Sequence, residues 1–110
     1  VDAAVLETAR GGILREGLAF DRCQVAVVTN IGAGDHLGLN YITTVEDLAV
    51  LKRVIVQNVA PGGFAVLNAD DPVSARMGAA CPGAIIYFSR NPANAVSVTH
   101  RAQGRRVVLV

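Results

Sequence analysis

The chain has 110 residues and a formal net charge of +1, from ten Lys and Arg against nine Asp and Glu. Its 52% hydrophobic residues and mean hydropathy of +0.41 are enough to bury a core in one domain. The near-neutral charge and the 5% aromatic content argue against a nucleic-acid-binding surface. No apolar run reaches the roughly 18 residues that a membrane span needs. The two cysteines have no CxxC spacing, so we interpret them as buried thiols in a reducing, cytoplasmic compartment.

The first half of the chain predicts two strands and one long helix. Two apolar runs of strand length come first, Ala3–Leu6 and Gln24–Thr29. Thr43 is followed three residues later by Glu46, a capping box that predicts a helix over Thr43–Val59. The Pro-Gly-Gly run that starts at Pro61 is expected to end this helix. Because the chain begins at Val1 inside an apolar run, we expect it to be part of a longer protein.

The second half predicts two more strands, a helix and a hairpin. The strands are Phe64–Leu67 and Ala84–Phe88, and the Asn-Ala-Asp-Asp-Pro run from Asn68 to Pro72 begins a helix between them. Ala95–Thr99 and Arg106–Val110 alternate in polarity around Gln103-Gly104, which predicts an antiparallel β-hairpin. The predicted fold is therefore α/β, a mostly parallel sheet flanked by helices over residues 1–90, with a C-terminal antiparallel β-hairpin over residues 94–110.

Polar side chains follow the predicted strands, where parallel sheets bind ligands. Glu7 ends the first strand, and its carboxylate suits Mg²⁺; alternatively it is a solvated acid paired with Arg10 or Arg15. Asp35 and His36 lie in the loop after the second strand. An imidazole there can bind a divalent ion or donate a hydrogen bond to a phosphoryl group. The alternative is that Asp35 caps a turn and His36 fills a gap.

Lys52 lies in the middle of the apolar stripe of the long predicted helix, between Ala49 and Val56, whereas Arg53 and Gln57 belong to the outer face. A lysine at this place either extends its amine to water or meets a partner. Burial disfavours the charged form of an amine, and a neutral amine can react with carbon dioxide to give a metal-binding carbamate. Both interpretations stay open from the residues alone.

Three other polar features receive mainly structural interpretations. The run from Asn68 to Pro72 is interpreted as a helix start rather than as catalytic residues. The Arg10-Gly-Gly turn can cradle an anion. His100, in the predicted hairpin, is interpreted as a surface residue.

The ordered motifs together resemble the central ATP-binding domain of the Mur ligase family. They are the strand that ends in Glu7, Thr-Asn-Ile at Thr29–Ile31 with Asp35-His36, Ala-Val-Leu-Lys at Ala49–Lys52, and Asn-Ala-Asp-Asp-Pro at Asn68–Pro72. The run Glu7–Arg15 looks like the members that join arginine to the side chains of an aspartate polymer. The relatives that make peptidoglycan precursors or folate polyglutamates differ in this loop.

The resemblance implies an ATP-dependent amide ligase that uses Mg²⁺ and activates a carboxylate as an acyl phosphate. It implies Glu7 and His36 as metal ligands, together with Lys52 if carbamylated. Lys52 and His36 would serve catalysis, and Asn30, Asp35 and Arg10 would contact the nucleotide. The phosphate-cradling pattern GxxxxGK[ST] does not occur in these 110 residues, so we expect the chain by itself to be inactive.

Two alternatives stay open. The chain can belong to another Mur or folylpolyglutamate-type ligase, or it can be a non-catalytic Mur-like binding module. Self-association into a homo-oligomer through unpaired strand edges is a further hypothesis.

Overall fold

The computed structural model describes Val5, residues 22–30 and residues 45–110. The described strands are Cys23–Val28 (β1), Val59–Asn68 (β2), Ala84–Ser89 (β3) and Val107–Leu109 (β4). The described helices are Val45–Gln57 (α1), Pro72–Arg76 (α2), which continues into a 3₁₀ helix at Met77–Ala80, and Ala95–Ala102 (α3). No helix in this part of the chain is long and apolar enough to cross a membrane.

The four strands form one parallel sheet in the order β1-β2-β3-β4. Val27 lies beside Val66, which lies beside Ile86, so the central rungs are in register. Each described helix connects neighbouring strands, and right-handed crossovers in this order place all of them on one face. The Tyr87 side chain agrees, because it contacts both α2, through the carbonyl of Ala75, and the ring of His100 in α3. The predicted parallel α/β sheet with flanking helices is confirmed.

The core lies between this helix layer and one face of the sheet. Leu67 in β2, Val56 in α1 and Val59 at the start of β2 are fully buried. Burying an aliphatic side chain of this size contributes about 1.5–3 kcal/mol. On the other face of β1, Val25 and Val27 are 55% and 56% exposed. The helices therefore cover one side of an apolar sheet, and β1 presents its valines on the other.

The predicted C-terminal β-hairpin over residues 94–110 is wrong. Ala95–Ala102 is an α-helix, and β4 pairs in parallel with β3, with Tyr87 beside Val107. The helix starts because the Asn94 side chain accepts a hydrogen bond from the backbone N–H of Ser97 at 3.1 Å. The alternation that suggested a strand was misleading, because the buried side chains follow helical spacing and are polar. Ser97 and His100 are buried, whereas the neighbouring valines of α3 are exposed.

The Pro-Gly-Gly run does not end α1 as predicted. The helix ends at Gln57 and the run lies inside β2, whose pairing with β1 is irregular between Cys23 and Val25. Gly63 is needed there, since a Cβ atom would overlap the carbonyl oxygen of Gln24. The three predicted strands at residues 24–29, 64–67 and 84–88 are confirmed. The ends of β1 and β3 shift by one residue, whereas β2 begins at Val59, five residues earlier than predicted. Of the predicted strand Ala3–Leu6 the structure describes Val5, which is not in a strand and is 99% exposed. Thr43 of the predicted capping box lies outside the described residues.

Candidate functional site

Polar groups from three strand ends meet at the carboxyl edge of the sheet. The participating residues are Thr29 and Asn30 after β1, Asn68 at the end of β2 with Asp70 after it, and Ser89 at the end of β3 with Arg90 and Asn94 after it. We call this set the edge network. The strands position it because their carboxyl ends lie side by side, with Val28 beside Leu67 and Asn68 beside Phe88.

Asp70 is the centre of the edge network. Its Oδ1 accepts from the Ser89 hydroxyl at 2.6 Å and from Asn94 Nδ2 at 3.0 Å. Its Oδ2 accepts from the backbone N–H of Arg90 at 2.7 Å. The hydrogen bonds from Ser89 and from the Arg90 backbone hold the pKa of the Asp70 carboxyl below its usual value, because they favour the charged form. One exposed carboxylate thus ties the loop after β2 to the loop after β3.

Asn68 makes the corresponding link to β1. Its Nδ2 donates to the backbone carbonyl of Thr29 at 2.9 Å, and its Oδ1 accepts from the backbone N–H of Asp70 at 2.9 Å. Asn30, predicted as a nucleotide-binding residue, is exposed directly beyond Thr29. Its side-chain oxygen accepts from the Thr29 hydroxyl at 3.4 Å. The structure therefore brings Asn30 and the run from Asn68 together at one edge.

The interpretation of Asn68–Pro72 as a helix start is confirmed. Asp71 is the N-cap of α2 and accepts from the backbone N–H of Val73 at 3.1 Å, with Pro72 in the first turn. Asn94 holds the same run in place, because its Nδ2 also donates to the carbonyl of Ala69 at 3.0 Å.

Sequence reasoning missed Asn94 and Ser89. An asparagine N-cap signal was present at Asn94, two residues after Pro92, but the valine alternation outweighed it.

Lys52 is half-buried near the middle of α1, in the same stripe as the buried residues Ala49 and Val56. Arg53, Val54 and Ile55 are half-buried as well, so the central place of Lys52 in the stripe stays a prediction. Arg53, the next residue, is also half-buried and lines a cleft with Ala49 of α1 and with Val73, Arg76 and Met77 of α2 and the 3₁₀ helix. This place differs from the outer face that was predicted for Arg53.

The remaining predicted site residues, Glu7, Arg10, Asp35 and His36, lie outside the described residues, and their roles stay predictions. In the part of the chain that the structure does describe, no group of three or more His, Cys, Asp or Glu side chains could hold a metal ion.

The prediction that His100 is a surface residue is wrong. Its side chain is buried, its Nε2 lies 2.8 Å from the carbonyl oxygen of Ile85, and its ring meets Tyr87 edge-on at 4.8 Å.

The fold and the edge network define a parallel α/β domain of the class that binds ligands at its strand ends. The chain belongs to the Mur ligase middle-domain family, whose model matches residues 1–110.

Among curated proteins, the cyanophycin synthetase of Synechocystis sp. is 57% identical over 100 residues, 91% of this chain and 11% of that protein. The cyanophycin synthetase of Nostoc sp. is 48% identical over 94% of this chain and 11% of its own length. The UDP-N-acetylmuramoylalanine–D-glutamate ligase of Pelotomaculum thermopropionicum is 42% identical over 63% of this chain and 14% of that enzyme. The chain thus spans only 11–14% of the length of these relatives.

Proposed function

We propose that these residues are the middle part of a longer ATP-dependent amide ligase of the cyanophycin synthetase type, which joins arginine to the side chains of an aspartate polymer in the cytoplasm. The observation that carries the proposal is the 57% identity to a cyanophycin synthetase over 91% of the chain. The Glu7–Arg15 run supports the same choice from the residues alone.

The proposed reaction has two steps. A substrate carboxylate oxygen attacks the γ-phosphorus of ATP, which forms an acyl phosphate and releases ADP. The arginine amine then attacks the acyl carbon, and the tetrahedral intermediate collapses to an amide while inorganic phosphate leaves. The first step brings two anionic groups together, and the second develops an oxyanion beside the phosphate group. The domain must therefore supply positive charge and hold the reactants in line.

In this proposal Glu7, His36 and a carbamylated Lys52 hold Mg²⁺, which neutralises phosphate charge when bound. Asn30, Asp35 and Arg10 contact the nucleotide. Lys52 and His36 are placed in the catalytic machinery. The half-buried position of Lys52 on α1 supports its part, because a carbamate there would be partly shielded from bulk water. The ammonium first loses one proton; the neutral amine nitrogen then bonds to the carbon of carbon dioxide and releases a second proton, which leaves an oxygen-donating carbamate anion.

The full-length ligase tests this proposal through ATP-dependent incorporation of labelled arginine into an aspartate polymer. Lys52→Ala should lower incorporation by at least about 10- to 100-fold, the range for groups that support a metal site. Arg53→Ala is the matched control, because Arg53 is a half-buried cation on the same helix but lines the cleft beside α2. A small carboxylate added to Lys52→Ala should restore part of the rate if a carbamate is the active form. Equal losses in the two variants would contradict the role of Lys52.

The isolated 110 residues should not hydrolyse ATP and should bind nucleotide weakly if at all, because they contain no GxxxxGK[ST] pattern. Phosphate-release and nucleotide-titration measurements on this chain check the prediction. Micromolar ATP affinity would overturn it.

A second candidate is a ligase that acts on a muramyl-type acceptor. It is supported by the 42% identity to a UDP-N-acetylmuramoylalanine–D-glutamate ligase, although this covers only 63% of the chain. Assaying the full-length enzyme with the two acceptors side by side separates the candidates. ATP-dependent consumption of the muramyl acceptor, with none of the aspartate polymer, would favour the second.

A further inference from the structure

Asn68 occupies the central position on the carboxyl edge, because β2 lies between β1 and β3. Its side chain uses both ends of its amide. The Nδ2 group donates to the carbonyl of Thr29, 39 residues away in sequence, and Oδ1 accepts from the N–H of Asp70. A single side chain thus couples the end of β1 to the loop that carries Asp70.

The bond to Thr29 lies just past the last backbone pair between the two strands, Val28 with Leu67. The Asn68 amide therefore adds one more rung to the ladder, with a side chain in place of the backbone. The carbonyl of Thr29 and the N–H of Asn30 belong to one rigid peptide plane. Fixing the direction of this carbonyl also fixes the direction in which the chain leaves β1.

We propose that Asn68 is a positioning residue that orients the Thr29–Asn30 peptide plane for catalysis. The inference rests on the proposed ligase function, in which Asn30 contacts nucleotide and the loop after it carries Asp35 and His36. Asn68 does not touch the reacting atoms and acts through the end of β1.

The geometry separates a positioning role from a purely structural one. The Asn68–Thr29 bond is exposed to solvent, and an exposed neutral hydrogen bond adds little to stability because water replaces it. Catalysis is more sensitive, since a misplacement of about 1 Å can cost about 100-fold in rate. Loss of the bond should therefore lower kcat strongly while it changes Tm only slightly.

The test compares Asn68→Asp with Tyr87→Phe in the full-length ligase. Asn68→Asp keeps an oxygen that can accept from the Asp70 N–H, but it replaces the donor to Thr29 with a carboxylate oxygen. Tyr87→Phe removes a buried hydrogen bond to the carbonyl of Ala75, at 2.9 Å on the core side, away from the edge network. It controls for a general loss of stability.

We expect Asn68→Asp to lower kcat by about 10- to 100-fold, with a smaller change in KM for ATP and a Tm no lower than that of Tyr87→Phe. Hydrogen exchange measured by mass spectrometry on a peptide covering residues 23–30 should be faster in Asn68→Asp than in wild type or in Tyr87→Phe. Unchanged exchange in that peptide, or a kcat loss no greater than in Tyr87→Phe, would overturn the positioning role. A wild-type enzyme without any ATP-dependent ligation would instead overturn the proposed function, and the catalytic role of Asn68 with it.

Discussion

The two edges of the sheet are held together by different means. At the carboxyl edge, side chains cross between strand ends, and Asp70 alone accepts three hydrogen bonds from the β3 side. At the amino edge the backbones themselves come close. A Cβ atom on Gly83 would overlap the carbonyl oxygen of Gly63 and lie 2.9 Å from that of Ala60. Side-chain bridges leave room for loops and ligands, whereas backbone contact leaves none.

The two cysteines belong to the amino edge. Cys23 Sγ lies 3.8 Å from the carbonyl oxygen of Asn58, and Cys81 Sγ lies 3.8 Å from that of Ala84. Burial, and to a lesser extent the neighbouring Cys81, raise the pKa of the Cys23 thiol. A thiol that resists ionisation is a poor nucleophile, so Cys23 packs rather than reacts. The amino edge thus serves packing, whereas the carboxyl edge carries the site that we propose.

The largest loss of stability is expected from a substitution that disrupts the amino edge. Gly83→Ala should reduce the free energy of unfolding by about 1–3 kcal/mol, the range for inserting an atom into a filled space. Chemical denaturation measures the loss. Gly62→Ala is the control, because a Cβ atom there meets nothing within 4 Å. Similar losses in the two variants would mean that the close approach at Gly83 does not limit the packing.

An intermediate effect is expected at the start of α2. Asp71→Ala removes the N-cap acceptor for Val73 and should cost about 1 kcal/mol. Asp71→Asn retains an acceptor oxygen and should cost less. Thermal unfolding of both variants checks the order. An asparagine variant as unstable as the alanine variant would show that the cap is not the reason.

The smallest expected effect is a pH dependence specific to the carboxyl edge. Because the folded-state pKa of Asp70 is lowered, its contribution to stability is present above its unfolded pKa of about 3.9 and is lost as pH falls through the folded-state pKa. The stability difference between wild type and Asp70→Asn should therefore shrink in acid. Solvent screens this exposed carboxylate, so the change should be modest.

Urea unfolding of wild type and Asp70→Asn at neutral and acidic pH measures this change. The Tyr87→Phe difference should stay constant over the same range, since burial raises the pKa of that phenol away from acid. A wild-type to Asp70→Asn difference that does not change with pH would contradict the assignment.

Much of the fold was predictable because an apolar run of strand length indicates a buried strand. The segments at residues 24–29, 64–67 and 84–88 became strands, and Asp71 caps the helix that its run predicted. The failures fall where local pattern and tertiary burial disagree. In α3 the exposed residues are valines and the buried ones are Ser97 and His100.

The position of the edge network was predictable from the sequence, but its hydrogen bonds were not. Parallel strands alone imply that Asn30 and Asn68 meet at one edge, whereas the bonds from Ser89 and Asn94 to Asp70 depend on loops whose path no local pattern encodes.

By itself, the sequence determined the period of each apolar segment and the residues able to cap helices, because both depend on neighbours within a few positions. Only the tertiary structure decided that residues 95–102 form a helix, that Pro61–Gly63 lie in a strand, and that Asn68 reaches Thr29. These outcomes depend on contacts between segments up to 39 residues apart. Burial and hydrogen bonding across such distances outweigh local preferences of about 1 kcal/mol or less per residue.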